Sequence, residues 1–237
     1  MGEAGGGGGP PRGPTMGAED PMNDDVPLSA RIGSRLRQLR KSSGRSLASV
    51  AQQLGISSSA LSQIETGVMQ PSVNRLVELV GVLGAPVSAI FDELEVYERP
   101  VGSDAPDVAE PLPGVFVSTA GDIAVAHLGQ GVTYRRLTPT ALPGIELFES
   151  SYPPGTSSSV DGAMLVHAGY ECGSVVSGVL TFEFTEGELR LAAGASLSFA
   201  ATRPHRVVNE TDEVAVAAWL TLPGGLPEPV ASPTPEL

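Results

Sequence analysis

Ser46–Gly67 reads SLASVAQQLGISSSALSQIETG, and the spacing of its apolar residues decides the fold of the first third of the chain. Leu47, Val50, Ala51 and Leu54 recur at helical intervals behind Ser46, a residue suited to the N-cap. Gly55 stops that run, Gly55-Ile56-Ser57 makes a turn, and Ala60, Leu61 and Ile64 form the inward stripe of a second short helix that Gly67 ends. Two short helices joined by a tight turn have the layout of a helix-turn-helix, whose second helix can enter a DNA major groove. With Ala60, Leu61 and Ile64 turned inward, Ser58, Ser59, Ser62 and Gln63 face out. Glutamine can grip an adenine edge with two hydrogen bonds, and serine can pair with any base. The same residues also suit a merely solvated surface, and periodicity does not separate the two.

Working outward, Ser29–Ser42 places Ile32, Leu36 and Leu39 on one stripe with five bases around it, and Gly44 follows. Pro71-Ser72 opens a fourth helix with Val73, Leu76, Val77, Val80 and Leu83 inward and Gly84 at its end, and Pro86 begins a fifth that closes with Ile90 and Phe91. The pattern predicts five short amphipathic helices over residues 29–91. Between Arg31 and Phe91 seven bases face two acids, a net charge of +5, although the chain as a whole carries −13. The helical block can therefore attract a polyanion while the remainder, at −18, repels one.

Residues 114–222 change period. Val179–Phe184, Leu189–Leu191 and Val214–Trp219 alternate or run apolar between Gly-, Pro- and Asn-rich turns, which predicts an antiparallel sandwich or barrel. Residues 1–28 and 223–237, rich in Gly and Pro, read as disordered tails, and 92–113 reads as a linker. The single cysteine, Cys172, excludes a disulfide framework and a multi-cysteine zinc site. No apolar run approaches a membrane span and no signal peptide is visible, so a cytoplasmic protein without membrane contact is expected. One lysine beside thirteen arginines fits a GC-rich bacterial genome.

Within the strand block, His167 and Glu171 stand four residues apart and His205 follows after Pro204. Two imidazoles and a carboxylate converging from separate strands would suit Fe(II), Mn(II) or Zn(II) with open positions. Ordinary half-buried histidines are the competing reading. His127 lies outside that set and reads as a structural or surface residue.

From Ile32 to Phe91 the sequence resembles the helix-turn-helix domain of the XRE, phage-repressor-like family, in the Gly55-Ile56-Ser57 turn, the Leu61-Ser62-Gln63-Ile64-Glu65-x-Gly67 run and the Pro71-Ser72 opening taken together. The resemblance implies a five-helix lambda-repressor-like bundle whose third helix reads DNA through Ser58, Ser59, Ser62 and Gln63. Ser57 and the Leu47 backbone amide would approach phosphates. Arg37, Lys41 and Arg45 would add phosphate contacts and a steep salt dependence. It also implies a structural ion pair between Arg40 and Glu65. Tyr152–Asn209 resembles the cupins, through His167-x-Gly169-x-Glu171 with Gly178, then Gly194–Phe199, Pro204-His205 and Asn209. That implies a jelly-roll β-barrel and a metal set at positions 165, 167, 171 and 205, of which Leu165 departs from histidine.

The joint architecture, multidomain α and β, resembles that of XRE regulators with a cupin sensor. The expected protein is a homodimer on an inverted-repeat operator in double-stranded DNA, its cupin domain dimerising and sensing a small-molecule or metal effector. One divalent metal ion on His167, Glu171 and His205 is the cofactor expected, against a metal-free pocket for an organic ligand. A metal-dependent oxygenase or isomerase with a DNA tether is the alternative, and a cupin that only scaffolds the dimer is a third reading.

Overall fold

The computed structural model describes residues 28–91, 112–118, 125–222 and 224. The expected tails and linker therefore lie outside the described residues, apart from Leu28, Leu112, Pro113 and Gly224.

Four α-helices open the chain: α1 (Leu28–Ser42), α2 (Leu47–Gln53), α3 (Ser58–Glu65) and α4 (Val73–Leu83). Each of the last three begins on a serine whose hydroxyl accepts an orphan amide of its own first turn. Ser46 accepts from Ser49 N at 3.1 Å, Ser57 from Ala60 N at 3.0 Å and Ser72 from Arg75 N at 3.2 Å. The fifth helix expected from Pro86 is instead one 3-10 turn, Val87–Ile90. Only seven residues follow the left-handed Gly84 before the bundle ends at Phe91, and after Ala85-Pro86 the turn is closed by i to i+3 bonds, such as Ala89 N to Pro86 O. The bundle thus has four α-helices, and α1 starts one residue ahead of the expected boundary.

Packing of α3 onto α1 is unusually close at Gly33. A Cβ built there would lie 2.4 Å from the Ile64 carbonyl oxygen, so only glycine lets the two backbones meet. α4 is buried more widely than a one-sided stripe predicts. Leu79 is buried beside Leu76 and Leu83, and Asn74 is buried as well because Ser158 and Ala163 of the second domain cover it.

That domain is two antiparallel sheets. The larger runs β1 (Val125–His127), β2 (Thr133–Arg136), β3 (Glu146–Tyr152), β9 (Ala215–Leu222), β4 (Tyr170–Ser177) and β7 (Ser196–Ala200); the smaller runs β6 (Gly187–Ala192), β5 (Val179–Phe184) and β8 (His205–Val208). Phe148, Tyr152, Leu180, Phe182 and Trp219 are buried in its core. Trp219 stands edge-on to Phe182 with ring centres 5.7 Å apart and donates its indole N–H to Ser150 Oγ at 2.8 Å. Gly178 joins β4 to β5 at φ +72°, and a Cβ there would strike Ala215 at 2.9 Å. Asn209 ties the far end, donating through Nδ2 to the Tyr152 and Glu213 carbonyls at 2.8 and 2.7 Å.

The two cores are continuous. Phe91 at the end of the bundle packs on Phe148 of β3 at 5.9 Å between ring centres, and Phe148 packs on Tyr134 of β2 at 5.0 Å.

Two glycines on the helices give a direct test of this packing. Gly33→Ala should cost about 1–3 kcal/mol of stability through overpacking. Gly81→Ala, exposed on α4 with nothing within 4 Å of its added Cβ, should gain up to about 1 kcal/mol from helix propensity. Denaturant midpoints of the two variants measure both.

Candidate nucleic-acid interface and metal centre

Ser58, Ser59, Ser62 and Gln63 are all exposed along α3, and among the described residues none of their side chains is engaged in a hydrogen bond. Ser57, also exposed, uses its oxygen as the α3 cap but keeps a hydroxyl proton to donate. Arg37 and Lys41 are exposed on α1. Arg45 is half-buried and gives Nη1 to Gln53 Oε1 at 3.0 Å, which ties its guanidinium to the last residue of α2. Leu47 is half-buried and stands first in α2, where amides lack intrahelical acceptors.

What fixes α3 against α1 is a forked ion pair. Arg40 Nε meets Glu65 Oε1 at 2.5 Å and Arg40 Nη2 meets Glu65 Oε2 at 2.8 Å, while Nη1 donates to the Arg45 carbonyl at 3.1 Å. The side chains are only 11% and 4% exposed. The hydrogen bond to Glu65 holds the Arg40 guanidinium above its ordinary pKa. This is the structural pair the resemblance implies, turned away from the DNA face. Arg40→Ala strands a buried carboxylate and should cost about 3–5 kcal/mol, whereas replacing both partners with apolar residues should cost much less; a double-mutant cycle in denaturant checks it.

In the second domain, His167, Glu171 and His205 converge, with ligand atoms within 4.8 Å of one another. His167 Nε2 lies 2.7 Å and His205 Nε2 3.6 Å from the same oxygen, Glu171 Oε1. Both rings turn their other nitrogen to a backbone carbonyl: His167 Nδ1 to Ala168 O at 3.0 Å and His205 Nδ1 to Arg203 O at 2.8 Å. With a proton on each Nδ1 held by its carbonyl, each Nε2 faces Glu171 and could give up its own proton to become a metal ligand, the arrangement that orients histidines for a metal. The donor set fits a divalent ion through these three residues. Leu165 offers no side-chain ligand atom; it is buried, and its backbone exchanges hydrogen bonds with His205 at 2.8 and 3.1 Å.

The charges are coupled. Burial opposes ionisation of Glu171, but hydrogen bonds from His167 and His205 overcome it and hold the carboxyl at about 2. Burial likewise opposes the His167 imidazolium, and the hydrogen bond and charge of Glu171 reverse this, raising His167 above 6.5. Cys172 lies on the opposite side of β4 from Glu171, in a shallow hollow with Leu147, Ser174 and Leu220. His127 is exposed on β1. His167 and Glu171 open into a cavity of about 310 Å³ that also holds Tyr134, Glu146 and Phe148. Sequence reasoning missed Tyr134, Glu146 and the α4 residues that line this cavity. Asn74, an amide in an aliphatic helix, was the one available signal.

The sign of the linkage follows from these shifts. The raised His167 stabilises the metal-free fold fully below about 6.5. That contribution fades as pH climbs through the raised value. The depressed Glu171 contributes above about 4.5 and fades as pH falls towards 2. In chelator, the thermal midpoint should therefore decline on raising pH from about 6.5, and Glu171→Gln should flatten that slope.

Comparison with known proteins agrees with this geometry. A family described as helix-turn-helix domain matches residues 31–90, and one described as cupin domain matches 148–221. The HTH-type transcriptional regulator PuuR of Escherichia coli (strain K12) is 28% identical over 177 residues, covering 75% of this chain and 86% of that protein. SinR of Bacillus subtilis (strain 168), another HTH-type transcriptional regulator, is 38% identical over 63 residues, 26% of this chain and 57% of SinR. A crystal structure of an HTH_3 family transcriptional regulator from Vibrio cholerae superposes with a TM-score of 0.57 at 27% identity, covering 82% of this chain and 96% of that one. The chain thus joins a helix-turn-helix domain to a C-terminal cupin domain and is homologous to HTH-type transcriptional regulators such as PuuR.

Proposed function

We propose that this regulator binds an inverted-repeat operator as a cytoplasmic homodimer, reads each half-site with α3, and answers to an effector held by its cupin domain. The observation that carries the DNA reading is the exposed, uncommitted row Ser58, Ser59, Ser62 and Gln63, fixed to a cationic bundle by the Arg40–Glu65 fork. Gln63 is the residue with bidentate base chemistry; the serines add single hydrogen bonds. Arg37, Lys41 and Arg45, with Ser57 and the Leu47 amide, would meet phosphates and supply sequence-independent affinity. One such module buries too little DNA for tight specific binding, which is the argument for two-fold symmetry.

His167, Glu171 and His205 would hold the metal if one is bound, and such an ion supplies open coordination positions for an effector's oxygen or nitrogen. The enzyme alternative uses these same three ligands, and the relative that spans three-quarters of the chain is a transcriptional regulator.

Selection of bound duplexes from random DNA tests the reading: a palindromic consensus is expected, and no enrichment at low salt would overturn it. Within that consensus, Gln63→Ala should erase preference at one base pair per half-site, a loss of about 1–3 kcal/mol of discrimination. Lys41→Ala should weaken all sequences alike and lower the salt slope. Metal analysis of wild type against His205→Ala tests the cupin ligands; equal, negligible metal in both would remove them.

A further inference from the structure

The cavity beside His167 and Glu171 is not closed by the cupin domain. Tyr134, Glu146 and Phe148 form one side, and Val77, Val80 and Gly81 of α4 form the other. The helical domain is therefore a wall of the same cavity that the cupin ligands open into.

The wall is also fastened to the segment between β3 and β4 that delivers His167. Asn74 donates through its amide nitrogen to Ser158 O at 2.9 Å and through Nδ2 to Ala163 O at 3.0 Å. Ser158 N in turn donates to Val207 O of β8 at 2.8 Å, and four residues before His167 the chain leaves Ala163. On its other flank α4 reaches the DNA-reading unit: Arg75 Nη1 donates to Leu54 O, at the end of α2, at 2.9 Å. Beyond α4, Ser88 N donates to Glu146 Oε1 at 2.7 Å, so a carboxylate lining the cavity also holds the 3-10 turn. A molecule entering the cavity meets α4 directly, without any relay through a dimer interface.

The lining selects a chemistry. Val77, Val80 and Phe148 offer an apolar flank. Tyr134 has no hydrogen-bond partner for its hydroxyl among the described residues, and burial keeps it protonated. Two carboxylates, Glu146 and Glu171, line the cavity with one imidazole, His167, so an anion would meet excess negative charge.

We propose that the effector site is a two-domain cavity, that it accepts a compact molecule with an apolar flank and an uncharged or cationic hydrogen-bonding end, and that α4 reads its occupancy. This deepens the proposed function and rests on the cupin domain being a sensor. A ligand that prefers one setting of α4 against the cupin shifts the helix-turn-helix by that difference in affinity, and by nothing more.

Hydrogen–deuterium exchange on the full chain in chelator tests it, with benzylamine, benzyl alcohol and benzoate as probes of one ring and three end groups. Benzylamine and benzyl alcohol should slow exchange in β2 and β3 and also in Val77–Leu83; benzoate should not. Gly81→Leu projects a side chain from an exposed helix position with open space around it. It should weaken both probes by at least about tenfold. Tyr134→Phe, which keeps the ring, should weaken them severalfold and guards against misfolding of the first variant. Protection confined to cupin strands, or unchanged affinity in Gly81→Leu, overturns the shared cavity and leaves the cupin a sensor. Benzoate binding as well as benzylamine overturns the charge assignment, and protection by none of the three overturns the ligand class. DNA binding, measured on the same samples, fails or holds independently of all these outcomes.

Discussion

α4 carries Val73, Leu76, Val77, Leu79, Val80, Val82 and Leu83 within eleven residues, which spreads apolar surface over more than half of its circumference. A helix buried on one side needs an arc of only about 100°. Covered by the bundle alone, α4 would leave aliphatic surface in water. The cupin domain removes that surface, and the polar contacts at Asn74 and Ser88 set the register in which it does so. Burial of one helix from two sides is thus the constraint that turns two domains into one body. The continuity of Ile90, Phe91, Phe148 and Tyr134 in a single core is its consequence.

This arrangement separates the roles of charge and packing. The helical block is cationic and Ser58, Ser59, Ser62 and Gln63 are exposed, so on the proposed reading affinity for DNA would be electrostatic and specificity modest. The strongly acidic remainder repels a polyanion, which on the proposed reading leaves it free to hold the effector. Between them the Arg40–Glu65 fork keeps α3 at a fixed pose on α1, so that movement of the bundle moves the recognition helix with it.

Local signals were legible in the sequence wherever a single residue fixes a single bond. Ser46 announced a helix start, as Pro71-Ser72 did for α4, and each of these serines accepts the amide its position demands, as does Ser57 at the end of the turn before α3. His167, Glu171 and His205 were named together and meet within 4.8 Å. What could not be read was set by contacts distant along the chain. Asn74 is buried only because Ser158 and Ala163 come to it, and Glu146 gains its role from an amide 58 residues earlier. The expected fifth helix failed for a different reason: apolar periodicity is the same over one turn of either helix type, and only the length between Gly84 and Phe91 decides.

The protein has one tryptophan, Trp219, deep in the cupin core, while every α-helix among the described residues lies before it, in the DNA-reading half. Following urea unfolding by tryptophan fluorescence and by helical circular dichroism therefore watches the two halves separately. If α4 joins them into one body, both signals change at one midpoint, and Asn74→Ala lowers the two midpoints together. Two separated transitions, with Asn74→Ala moving only the helical one, would contradict the account.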